Sequence, residues 1–196
     1  MVFSLTKKVT RGLGAATFAI GTMIALVNPS PSFAQKAVTV GGAPMYPTKN
    51  IIENAVNSKD HTTLVAAVKA AGLVDTLSGP GPFTVFAPTN KAFGKLPAGT
   101  VPTLLKTENK SKLSGVLTYH VVSGRLDAAE LMKRVKDGGG KAMLKTVNGA
   151  TLTVMKNGAN GLVITDAKGG KSKVTIANVN QSNGVIHVVD GVMLPG

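Results

Sequence analysis

Cysteine and tryptophan are absent from the 196 residues, and aromatic residues make up only 4%. The missing thiol excludes a disulfide scaffold, a thiolate zinc site, iron–sulfur ligation, a cysteine nucleophile and a lipid-anchored cysteine. Acidic residues are scarce as well: 9 Asp and Glu stand against 22 Lys and Arg, a formal net charge of +13. Charged residues are only 16% of the chain and hydrophobic ones 43%. This is no disordered polybasic tail, and the length suits one folded domain with a real core.

The longest uncharged apolar run, Gly12 to Val27, is 16 residues, shorter than the roughly 20 a membrane-spanning helix needs. Lys7, Lys8 and Arg11 precede it; Pro29, Pro31 and Ser32-Phe33-Ala34 follow. That order is a secretory signal peptide over residues 1–34, cleaved after Ala34, and it places the mature protein in the periplasm or outside the cell. No twin-arginine pair occurs, so general secretion is the expected route. Without the three basic residues of the signal, 19 basic against 9 acidic residues leave +10. Those basic residues are dispersed, and an exported chain meets no genomic DNA or cytoplasmic RNA, so a nucleic-acid partner is not expected. No transmembrane helix is expected in the mature chain.

Residues 35–47 are interrupted by Gly and Pro and read as a leader, followed by a single domain over 48–196. Asn50 is placed to cap a short helix through Ile51 and Ala55. A second helix starts with Thr62 as N-cap, aligns Leu64, Val65, Val68 and Ala71, and stops at Gly72. Phe83–Ala87 is a β-rich run closed by Pro88. Lys112–His120 puts Leu113, Val116, Leu117 and His120 on one helical face, and Asp127 with Glu130 forms a capping pair for another helix. From Lys141 onward, short β-branched runs alternate with Asn-Gly and Gly-Gly pairs at 148–149, 157–158, 160–161, 169–170 and 183–184, which is hairpin chemistry. Helices first and a strand meander afterwards is an α+β pattern.

Little in the chain points to catalysis. His61, His120 and His187 are the groups that titrate near neutrality unaided. None stands at a metal-ligand spacing from another, and Asp190 lies on the opposite strand face from His187, so no metal, cofactor or catalytic residue is assigned. Ser182, His187 and Asp190 make a hydrolase triad only on paper, because no nucleophile elbow accompanies them. Gly138-Gly139-Gly140-Lys141 follows a helix and lacks the phosphate-loop pattern. Thr89 and Asn90 can cap the turn that ends their strand and fix how strand and helix meet.

Four segments resemble the fasciclin domain family: Thr62–Val68 with Gly72-Leu73; Phe83–Phe93, containing Thr84, Phe86, Pro88, Thr89 and Asn90; Leu117–Val122, containing Tyr119 and His120; and Asn183–Pro195, containing His187 and Asp190. They follow the family's order and spacing over about Thr48 to Pro195. The resemblance implies a wedge-shaped β-sandwich of about seven strands with several flanking helices, and a non-enzymatic adhesion or interaction module. Its expected partner is a protein or glycan of the cell surface or extracellular matrix, with self-association also open; the alternative is a binder of anionic glycans or lipid head groups through the basic surface. The candidate interaction residues it implies are Tyr119, His120 and Asn178. Asn178 stands where animal members that engage integrins carry an Asp, and an amide supplies no anionic metal-coordinating oxygen. For His120 the resemblance leaves a second role open, a buried network with Thr89 or Asn90 that holds helix to sheet.

Overall fold

A computed structural model describes residues 36–159 and 161–196. The expected signal peptide and the expected cleavage after Ala34 fall outside the described residues, as does Asn160 of one expected turn.

Nine strands, seven α-helices and two single-turn 3-10 helices follow one another through the described residues. A hairpin of β1 (Val38–Val40) and β2 (Ala43–Met45) comes first, so part of the segment read as a leader is structured. Its Val40 and Met45 are each only 2% exposed and belong to a core. Helix α1 (Ile51–Ala55) is held by a reciprocal capping box between Asn50 and Glu53. Helix α2 (Thr62–Ala71) ends on Gly72, whose φ of 72° is the left-handed conformation a glycine tolerates. Three short helices were not legible in the sequence: α3 (Val74–Ser78), α4 (Asn90–Gly94) and α5 (Thr100–Leu104), each about one turn long with too little periodicity to register. Helix α6 (Lys110–Tyr119) and helix α7 (Ala128–Asp137) match the expected ones, the latter capped by the Asp127 carboxylate accepting from the Glu130 amide at 2.8 Å.

The main sheet has seven strands, as expected. Besides β3 (Phe83–Pro88) and β4 (Val121–Ser123) it contains β5 (Lys141–Lys145), β6 (Thr151–Asn157), β7 (Gly161–Thr165), β8 (Lys171–Gln181) and β9 (Gly184–Val189), in the order 4-3-9-8-7-6-5. Strand β8 pairs with β7 through its first residues and with β9 through the rest, with irregularities around Ile176 that bend it. The sheet thereby folds over itself into a nearly closed wedge-shaped sandwich, the α+β fold expected.

One pairing is parallel: β3 lies beside β9, Phe83 opposite Gly184 through Pro88 opposite Val189. Alternation then divides the interior. Val85, Ala87, Ile186 and Val188 face a core shared with α1, α2, α3 and α6, whereas Phe86 and Val189 face a core shared with α7, β5, β6 and β7. Covered on both faces, β3 and β9 are buried almost throughout, which is why they read as unbroken apolar runs.

Close backbone approach at the start of β9 demands glycine: a Cβ on Gly184 would lie 2.2 Å from the Phe83 carbonyl oxygen. Gly115, inside α6, meets nothing within 4 Å. Gly184→Ala is expected to cost at least about 2 kcal/mol, while Gly115→Ala should stabilise by roughly 0.5–1 kcal/mol. Urea unfolding of the two variants checks both signs.

Candidate functional site

The polar residues singled out in the sequence do not converge on one cleft. They are spread over β3, β8, β9 and the end of α6, and most of them spend their hydrogen-bonding capacity within the domain.

Tyr119 and His120 end helix α6. Tyr119 is fully buried (0% exposed) and His120 is 2% exposed, so neither side chain is presented to a partner. This corrects the expectation that they form an adhesive surface: α6 packs with one side on each core, and its last turn points inward. The Tyr119 hydroxyl donates to the Thr151 carbonyl at 2.9 Å and accepts from the Ala167 amide at 2.9 Å, joining α6 to β6 and to the β7–β8 turn. His120 Nδ1 lies 2.8 Å from the Val116 carbonyl, and Nε2 lies 3.0 Å from the Met193 amide. A carbonyl only accepts and an amide only donates, so the proton is on Nδ1 and the ring is neutral. Thr89 and Asn90 are not its partners; His120 ties the helix to the C-terminal segment instead. Burial drives its pKa down to about 4, against smaller upward pulls from the Val116 carbonyl and Asp166.

His187 does the same on β9. Its Nε2 donates to the Leu126 carbonyl at 2.8 Å, its Nδ1 accepts from the Asn178 amide at 3.4 Å, and its ring stacks on Phe86 with centroids 5.7 Å apart. Burial lowers its pKa too. Thr84, on the same face, donates to the Gly124 carbonyl at 2.6 Å and accepts from the Leu126 amide at 2.9 Å. These two side chains anchor the loop between β4 and α7. Asn178 sits in the irregular part of β8 with φ of 59°, and its Oδ1 accepts from the Ala128 amide at 2.7 Å, serving the start of α7. It is exposed, but its carbonyl oxygen is already engaged.

Asn90 caps a helix distant in sequence. Its Oδ1 accepts from the Thr63 amide at 3.0 Å and its Nδ2 donates to the Lys59 carbonyl at 2.8 Å and to the Thr62 hydroxyl at 2.9 Å. Thr62 is therefore not the N-cap of α2; His61 holds that position without a side-chain cap bond, and Asn90 replaces it across space. Thr89 caps α4, accepting from the Ala92 amide at 3.3 Å, and Pro88 closes β3 opposite Val189. Asp190 accepts from the Lys173 amide at 2.7 Å and pairs with Lys95 at 3.3 Å. Burial alone would raise its pKa, but those two partners outweigh it and hold the carboxyl below its ordinary value.

No hydrogen bond links the members of the paper triad: Ser182 is exposed, and His187 and Asp190 are committed to the separate bonds above. Among the described residues no group of His, Asp and Glu is arranged to hold a metal ion. Gly138, Gly139 and Gly140 close the C-terminal end of α7, where Gly139 and Gly140 donate to helix carbonyls. That is the end of a helix that repels anions.

Two buried polar centres were missed in the sequence. Asp166 accepts from the amides of Lys168, Gly170 and Leu194 at 2.7–3.0 Å, gathering the β7–β8 turn and the C-terminal segment; an Asp three residues before Gly169 was its visible signal. Asn54, fully buried, exchanges hydrogen bonds with both main-chain groups of Tyr46 and donates to Gln181. Nothing local marks that pairing, since Asn54 and Gln181 are 127 residues apart.

A family profile described as the Fasciclin domain matches residues 59–195. The chain belongs to the fasciclin domain family. It is 46% identical to Protein sll1483 of Synechocystis over 162 residues, covering 82% of each chain. It is 34% identical to the Immunogenic protein MPB70 of Mycobacterium bovis, covering 96% of this chain and 98% of that one. The Cell surface glycolipoprotein MPB83 of the same species is 37% identical over 146 residues, covering 72% of this chain and 58% of its own length. Among solved structures, the FAS1 domain pair of the insect cell adhesion molecule Fasciclin I superposes with a TM-score of 0.67 at 20% identity, over 82% of this chain and 58% of that pair. The fasciclin chain thus shares its fold with a domain of that pair, and its family includes cell-surface and cell-adhesion proteins.

The neutral histidines make the fasciclin domain sensitive to acid. Because His120 holds its proton more weakly folded than unfolded, its contribution to stability is complete above pH 6.5 and is lost as pH falls towards about 4. The expected loss from this residue is about 3 kcal/mol. Urea unfolding between pH 7 and pH 4 measures it; a stability independent of pH over that range would contradict the assignment.

Proposed function

We propose that the mature protein is an exported, non-catalytic interaction module that binds a protein or glycan of the cell surface or surrounding matrix. The observation that carries this reading is the internal use of its chemistry. His120, His187, Asp166 and Asp190, the groups best suited to acid–base work, are each bonded to two or more partners within the domain. What remains for function is surface, and that surface is basic. Among the described residues only Lys95, Lys106, Lys133 and Arg134 take part in ion pairs, while Arg125 donates to Asn180 and to the Gln181 carbonyl. No helix among the described residues is long and apolar enough to cross a membrane. The export signal, and relatives named for the cell surface or cell adhesion, support a location outside the cytoplasm.

Dispersed positive charge favours a second reading, general attraction to anionic glycans or lipid head groups. The two separate by screening, because contacts made by exposed charge weaken steeply as ionic strength rises from about 0.1 to 1 M, whereas a packed interface persists. The immobilised protein is expected to retain cells or matrix material at both salt concentrations. Tyr119→Phe should cost roughly 1–2 kcal/mol of stability through its lost hydroxyl bonds yet leave that retention intact. Loss of retention in a folded Tyr119→Phe protein, or hydrolysis of an ester or glycoside abolished by His120→Ala, would contradict the proposal.

A further inference from the structure

The core between α2 and the sheet is not filled throughout. A cavity of about 40 Å³ lies there, several times the roughly 10–15 Å³ that one water needs by the same measure. On the helix side its wall is His61, Leu64, Val65, Val68 and Lys69. That spacing is one face of α2 over about two turns. Val85 and Ala87 of β3 and Ile186 and Val188 of β9 close it from the sheet. The cavity reaches the surface between α1, α2 and α3, where Ile52, Val65, Lys69 and Val74 are the lining residues that are not buried.

Only three of the lining side chains are polar, and two are accounted for. His120 has both ring nitrogens bonded, and Lys69 is exposed at the mouth. The third, His61, is 3% exposed, with its Nδ1 3.0 Å from the Ser58 hydroxyl oxygen. The single hydroxyl proton of Ser58 goes to the Val40 carbonyl at 3.1 Å, so Ser58 accepts from Nδ1 and the ring proton is there. Burial lowers the His61 pKa and keeps the ring neutral, which leaves Nε2 a bare acceptor. Ser58 is not part of the cavity wall, so the ring turns its other edge, with Nε2, towards the cavity. No described residue bonds Nε2, and the neighbouring Ala87 carbonyl, itself an acceptor, cannot serve it. A buried acceptor without a donor is costly and calls for a partner.

We propose that this cavity is a binding site for a small apolar molecule, no larger than one aromatic ring, that carries a single hydroxyl or N–H group and donates it to His61 Nε2. The walls supply affinity by taking apolar surface out of water, and Nε2 favours a donor over a plain hydrocarbon. Water is the poorer occupant, since it would find one free partner in a wall of apolar side chains where buried waters ordinarily make about three hydrogen bonds. The site lies inside the domain and is separate from the surface that meets a partner protein or glycan.

The test titrates the isotope-labelled protein with phenol and with benzene and follows it by NMR. Phenol should shift the His61 Nε2 resonance in the direction of an accepted hydrogen bond and perturb the methyl groups of Leu64, Val68 and Ile186. Benzene should perturb the same methyl groups and leave Nε2 unmoved. His61→Phe keeps a ring and removes the acceptor; it should weaken phenol by about tenfold while benzene changes by less than about threefold. If that variant does not fold, the Nε2 response of the unaltered protein decides alone. A proton found on Nε2 instead of Nδ1 in the free protein, an Nε2 resonance that phenol leaves unchanged, or methyl groups that respond to neither probe at millimolar concentration would overturn the proposal.

Discussion

The parallel pairing of β3 with β9 is the constraint on which the rest of the molecule depends. Two strands from opposite ends of the domain lie side by side with both faces covered, so their residues alternate between two cores and every polar group near them needs an internal partner. Thr84 and His187 provide such partners for the loop before α7, and His120 does so for the C-terminal segment. The buried hydroxyl and imidazole groups are therefore structural bonds across elements that local sequence could not join. A half-satisfied arrangement of this kind would cost more than an apolar one, and that explains why each ring nitrogen of His120 and His187 meets a backbone group of the matching polarity. His61 is the exception: its Nδ1 reaches Ser58 at 3.0 Å, while its buried Nε2 has no hydrogen-bond partner among the described residues.

That arrangement moves the question of function outward. Residues that look chemical in the sequence are consumed by the fold, and the features left over are geometric and electrostatic: a basic surface and an apolar cavity beside α2. A fasciclin domain built this way works by presenting surface, and its specificity rests on loops that the cores hold in place.

Much of the fold was legible because it is local. Hydrophobic periodicity locates α2 and α6, the Asp127–Glu130 capping pair locates α7, and the Asn-Gly and Gly-Gly pairs locate the hairpins between β5 and β9. The one-turn helices α3, α4 and α5 left no such pattern. The parallel β3–β9 register left none either, because about a hundred residues separate its partners. The same divide runs through the candidate residues. Asp127 and Asn50 cap their own helices and were read correctly, whereas Asn90 caps a helix 27 residues upstream and displaces Thr62 from that role. His120 shares the apolar face of Leu113, Val116 and Leu117, which signals an inward side chain, whereas no such pattern marks Tyr119. Their burial follows from α6 packing against both cores.

Buried polar side chains weld the C-terminal segment and β3 into a single cooperative unit with the helices. Native-state hydrogen exchange at the Met193 amide, bonded to His120 Nε2, tests this most directly. It lies three residues before Gly196, in a segment where fraying is ordinarily expected. Met193 is expected to exchange only by global unfolding, with the same free energy and denaturant dependence as the Phe86 amide in the centre of β3. Exchange of Met193 through local opening, well below that free energy and independent of denaturant, would contradict it.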